Sequence, residues 1–67
     1  MRIQEVSKIT GLSKKAIHFY VSEGLIHPKK LENNYYEFSD QEIATLNQIH
    51  LFRMSGLSIQ TIKEIYN

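Results

Sequence analysis

The chain has no cysteine and no tryptophan, one proline and three glycines in 67 residues. Without cysteine it can hold neither a disulfide nor a thiolate metal site. No apolar run approaches the ~18 residues that a membrane span needs. The opening Met-Arg-Ile-Gln-Glu lacks the apolar stretch of a signal peptide. A chain this short has little room for a substrate cleft of roughly 300 Å³ or more, which argues against an enzyme. There is no glycine-rich phosphate loop and no nucleophile–base motif. The three histidines, His18, His27 and His50, lack a metal-ligand spacing, so neither a metal nor a cofactor is expected.

One small, mostly α domain over residues 1–67 is expected. At this size folding buries only about 60% of the surface that the unfolded chain exposes, so stability is marginal. Formal net charge is only +1, but its placement is uneven. Lys14-Lys15 and Lys29-Lys30 form adjacent pairs, and no acid lies between Lys8 and Lys15. If the pairs share a face, that face is basic on a nearly neutral protein. Two separate solvated pairs are an equal alternative.

Punctuation divides the chain. A first helix over about 4–10 is expected from Ile3, Val6 and Ile9 at spacing three, with Leu12 as an anchor and Gly11 past the last turn. Ser13 caps a second helix that runs to about Glu23 and ends at Gly24. At 100° per residue Ala16, Ile17 and Tyr20 share the inner side, with Val21 at its edge. Lys15, His18, Phe19 and Ser22 lie outside, flanked by Lys14. Two short helices joined by three residues make a helix-turn-helix, over about 4–24. Pro28 rules out a further helix directly after Gly24. A hairpin, or wing, is expected over about 26–38, with strands at 26–30 and 35–38 and a turn at Asn33-Asn34, because asparagine tolerates positive φ. Ser39 and Glu42 then match the reciprocal capping box of a third helix, about 39–55. Capping accounts for Asp40 and Glu42 better than a paired-carboxylate site does. The apolar set Ile43, Ala44, Leu46, Ile49, Leu51, Phe52 and Met54 wraps more than one face. Gly56 ends that helix, and Ser58 caps a fourth, about 58–67. The architecture is a winged helix-turn-helix of about four short helices and a two-stranded β wing.

These segments, in this order and spacing, resemble the DNA-binding domain of the MerR family of bacterial transcription regulators. The likeness spans essentially all 67 residues. It is carried by Arg2-Ile3-Gln4-Glu5-Val6, by the turn Thr10-Gly11-Leu12-Ser13, and by the run from Phe19-Tyr20 through Gly24-Leu25-Ile26 to Pro28. Asn34-Tyr35-Tyr36-Glu37-Phe38-Ser39 and Gly56-Leu57-Ser58-Ile59 with Ile62 complete it. The resemblance implies sequence-specific binding of double-stranded DNA at inverted-repeat operators, with the second helix in the major groove and the wing on the flanking backbone. It also implies a homodimer formed through a segment absent from these residues, RNA polymerase as a partner at the promoter, and a place on the bacterial nucleoid in the cytoplasm. Members often twist DNA to realign promoter elements.

Carried over by position, the DNA-facing set is Ser13, Lys14, Lys15, His18, Phe19, Tyr20, Lys29, Lys30, Tyr35 and Tyr36. Lys14 would meet a phosphate and Lys15 the groove edge, against the alternative of a solvated helix end. Cations there oppose the helix dipole, which a nearby phosphate would relieve. His18 stands where the family usually has arginine and can donate one bond where arginine donates two. Phe19 replaces a tyrosine and cannot donate to a phosphate. Tyr20 points to the core. Tyr36 replaces a phosphate-clamping arginine, with Lys29 and Lys30 near enough to compensate, and cross-strand packing is the other role open to Tyr35 and Tyr36. Two rival functions stay open on the sequence alone: an excisionase-like or architectural DNA-bending protein, and a protein-interaction module that uses the fold without DNA.

Overall fold

A computed structural model describes residues 1–66. Its elements run α1 (Ile3–Thr10), α2 (Lys14–Ser22), β1 (Lys29–Lys30), β2 (Tyr36–Glu37), α3 (Asp40–Met54) and α4 (Ile59–Tyr66). The order matches the expected winged helix-turn-helix, and the expected last position of the fourth helix, Asn67, lies outside the described residues.

Serine side chains start three of the helices. Ser13 Oγ accepts from the Ala16 N–H at 3.0 Å, and Ser58 Oγ from the Thr61 N–H at 3.1 Å. At α3 the Glu42 carboxylate accepts from both the backbone N–H and the hydroxyl of Ser39, each at 2.8 Å. Gly11 closes α1 with φ 76°, a left-handed conformation that glycine adopts without a Cβ penalty.

The core gathers residues from every segment. Val6, Ile17, Phe38, Leu46, Ile49 and Ile62 are fully enclosed, and Leu12, Tyr20, Leu25, Ile26 and Ile43 complete it. Ile9 departs from expectation, since it is exposed and Thr10 takes the buried place beside Val6. At 100° per residue, Thr10 lies only 40° from Val6 around the helix, whereas spacing three drifts 60° per step. Thr10 satisfies its hydroxyl there, donating to the Val6 carbonyl (2.8 Å) and accepting from the Leu12 N–H (3.2 Å). On α3, Leu51 and Met54 face outward, while Phe52 meets the Tyr66 ring at 6.4 Å.

The wing is shorter than expected. Its ladder is antiparallel and pairs only Lys29 with Glu37 and Lys30 with Tyr36. Ile26 is turned into the core, Pro28 has no N–H to contribute, and Phe38 is paired elsewhere. Met1 donates its amino N–H to the Phe38 carbonyl, and the Phe38 N–H donates to the Met1 carbonyl, both at 2.7 Å. The segment before α1 thus lies along the outer side of β2. At the tip, the Asn34 N–H donates to the Leu31 carbonyl and the Leu31 N–H to the Tyr35 carbonyl, with Asn34 at φ 69°. A two-stranded hairpin this small is not stable alone. Buried Ile26 and Phe38 fix both of its ends to the helices.

Candidate nucleic-acid interface

The outer side of α2 is free because its inner side is committed. Ile17 and Tyr20 are in the core, which leaves Lys14, Lys15, His18, Phe19 and Ser22 facing out. The wing lies alongside that outer side. The His18 imidazole and the Tyr36 ring are 6.3 Å apart, tilted by 53°. Lys30 Nζ sits 5.9 Å from the Tyr36 centroid, and Tyr36 in turn rests edge-on against buried Phe38 at 6.2 Å. Tyr36 therefore joins the recognition side of α2, the basic strand β1 and the core.

Between α2, the wing tip and the start of α1 runs an open groove of about 450 Å³. Lys14 and His18 line one side, Asn34, Tyr35 and Tyr36 another, and Arg2, Ile3 and Gln4 the end. No acidic side chain lines it. Two cations, an imidazole and two phenol rings are a donor-rich, partly aromatic lining suited to a polyanion with flat sugars and bases. Among the described residues, the three acids nearest in sequence to these elements have other engagements. Glu37 pairs with the Met1 amino group at 3.3 Å, Glu23 with Lys63 at 3.3 Å, and Glu5 accepts from the Arg2 backbone N–H at 3.4 Å.

Of the ten residues picked out in the sequence, Lys14, His18, Tyr35 and Tyr36 meet at the groove, and Lys30 joins them through Tyr36. Lys15, Phe19 and Lys29 are exposed but do not line it. Ser13 serves α2 as its cap. Tyr20 stands apart in the core, 6% exposed, with its ring 5.8 Å from that of Phe19. Arg2, Gln4 and Asn34 line the groove and were not in that set. Arg2 is brought there by the Met1–Phe38 pairing, which joins residues 37 apart in sequence. Among the described residues, no group of three or more metal-ligating side chains converges, and no helix is long and apolar enough to cross a membrane.

A helix-turn-helix whose second helix shows a basic outer side, with a wing beside it, defines a winged-helix protein of the kind that reads nucleic acid. Comparison with known proteins makes the assignment more specific. The model of the MerR HTH family of regulatory proteins matches residues 1–67, and the chain belongs to that family. It is 37% identical over 68 residues to the transcriptional regulator CueR of Escherichia coli O157:H7, covering all of this chain and 50% of that one. It is 38% identical over 66 residues to heavy metal-dependent transcription regulator 2 of Rhizobium meliloti, covering 97% of this chain and 45% of that one. The same fold occurs in HiNmlR, a MerR family regulator lacking the sensor domain, solved bound to promoter DNA. That likeness has a TM-score of 0.91 at 22% identity and covers 98% of this chain and 51% of that one. The chain spans about half the length of these relatives.

Proposed function

We propose that this chain binds double-stranded DNA sequence-specifically as the DNA-binding part of a transcription regulator. In this reading α2 enters the major groove and the wing follows the flanking backbone. The observation that carries it is the 6.3 Å approach of Tyr36 to His18, which sets the hairpin beside the outward side of α2. Lys14, Lys15 and His18 reach the groove and its edge, while Lys29, Lys30 and the Tyr35–Tyr36 edge meet phosphate and sugar. Ser13 contributes by setting the start of α2. Tyr20 acts through the core that orients the helix.

The regulator works as a homodimer on an inverted repeat, through a segment outside these residues, and meets RNA polymerase at the promoter on the bacterial nucleoid. One copy offers few contacts, so two copies on adjacent half-sites are needed for the usual specific Kd of about 10⁻⁸ M or tighter. No residue in the groove is assigned a catalytic role.

Titration of a duplex selected from a random pool, at two salt concentrations, tests this. Tight binding at low salt with a steep negative salt dependence is expected. Flat, negligible binding to every duplex would leave a protein-interaction role in its place. Strong bending of attachment-site DNA with no preference for promoter DNA would favour an architectural role.

A further inference from the structure

We propose that Arg2 and Tyr35 form a phosphate clamp, in which the Arg2 guanidinium grips a backbone phosphodiester of the duplex and the Tyr35 ring holds it in position. This rests on the DNA-binding reading above and adds to it a contact from outside both α2 and the wing.

The guanidinium carbon lies 5.1 Å from the centroid of the Tyr35 ring. A contact with a ring face holds the cation yet uses none of its five N–H donors. Among the described residues none of those donors has a hydrogen-bond or ion-pair partner, since the one bond that Arg2 donates comes from its backbone. The chain's other arginine, Arg53, instead donates to the Leu57 carbonyl at 3.0 Å. Tyr35 is 61% exposed, so its ring adds little to the core and serves as a shelf.

Placement is fixed from two sides. The reciprocal Met1–Phe38 bonds tie the residue before Arg2 to the wing. The tip turn, with Asn33 Oδ1 accepting from the Tyr35 N–H at 3.2 Å, sets the ring. Arg2 and Lys14 both line the groove. A phosphodiester chain running along it would meet a planar fork at one point and an ammonium at another. The fork matches two phosphate oxygens, and a guanidinium already stacked loses less freedom on binding.

The test uses the chain and the selected duplex, with affinity read by fluorescence anisotropy across a salt series and folding checked by thermal melts. Arg2→Ala is expected to weaken binding about tenfold near 0.1 M salt. It should also lower the magnitude of the log–log salt slope by about 0.9, alike for the selected and a scrambled duplex. Tyr35→Phe keeps the ring and should bind like the parent. Tyr35→Ala should bind several-fold more weakly, and should cost nothing further in the Arg2→Ala background, because Tyr35 acts through Arg2. An unchanged slope in Arg2→Ala beside a reduced one in Lys14→Ala would overturn the clamp and leave the DNA-binding reading standing. Strictly additive losses from the two substitutions would overturn it as well. An Arg2 Nε–H resonance moved as far by inorganic phosphate at matched ionic strength as by the duplex would point to a free-anion site instead. Absence of salt-dependent binding by the parent chain to any duplex would remove both readings together.

Discussion

The Tyr36 ring stands between two elements that must act together, 6.3 Å from the His18 imidazole on α2 and 6.2 Å from the Phe38 ring in the core. The residue that touches the recognition side is therefore also a prop for the wing. This dual position separates what its substitution does to binding from what it does to folding.

Tyr36→Arg is expected to strengthen duplex binding and to steepen the log–log salt slope by about 0.9, because a guanidinium would replace a phenol at the wing edge. The same change removes the ring contact with Phe38, so unfolding should become easier by about 1 kcal/mol. Anisotropy titrations and thermal melts read the two effects independently. A lower melting temperature with no gain in affinity would show that the wing does not approach the phosphates.

Lys15 and Lys29 are both exposed, yet they belong to different parts of the surface. Lys15→Ala is expected to change which bases are preferred, by about 1–3 kcal/mol at one position of the site. Lys29→Ala should weaken binding to all sequences alike and flatten the salt slope by about 0.9. Selection from a random pool, repeated for each variant, distinguishes these outcomes. Equal, sequence-independent losses from both would refute the division between groove reader and backbone contact.

Asn34 occupies the left-handed conformation at the wing tip, φ 69°. Asn34→Ala is expected to destabilise the fold by about 1 kcal/mol, since an ordinary Cβ is strained there, whereas Asn34→Gly should be nearly neutral. Urea denaturation of both variants checks this. Equal losses would mean that the asparagine side chain, rather than its tolerance of positive φ, holds the turn.

The helices were legible because each carries its own local signals. Ser13, Ser39 and Ser58 cap as their positions predict, and Gly11 closes α1. The wing was legible in place but not in extent. The ladder stops where Pro28 cannot donate and where Phe38 pairs with Met1, and the second of these limits is a contact between distant residues. On the recognition side, helical phase and the family likeness were enough to place Lys14, His18 and Tyr36. They were not enough for Arg2, because nothing local shows that the start of the chain runs beside β2. Apolar spacing alone misplaces Ile9, because it overlooks a threonine that can enter the core by satisfying its own hydroxyl.

That threonine sits at the turn that sets the angle between α1 and α2. Thr10 is 7% exposed, and its hydroxyl both donates to the Val6 carbonyl and accepts from the Leu12 N–H. Thr10→Val preserves the shape and leaves the Leu12 N–H without its acceptor in a buried turn. The expected cost is about 1–3 kcal/mol. For a domain of this size each kcal/mol lowers the melting temperature by roughly 4–8 °C. Thr10→Ser keeps both bonds and loses only one methyl group, about 1 kcal/mol or less. Valine should therefore be the more damaging of the two, although it is the more apolar residue at a buried site. The reverse order in thermal melts would mean that packing rather than the hydrogen bonds fixes the turn. If binding by Thr10→Val weakens beyond what its folded fraction explains, the turn also governs how α2 is presented to the duplex.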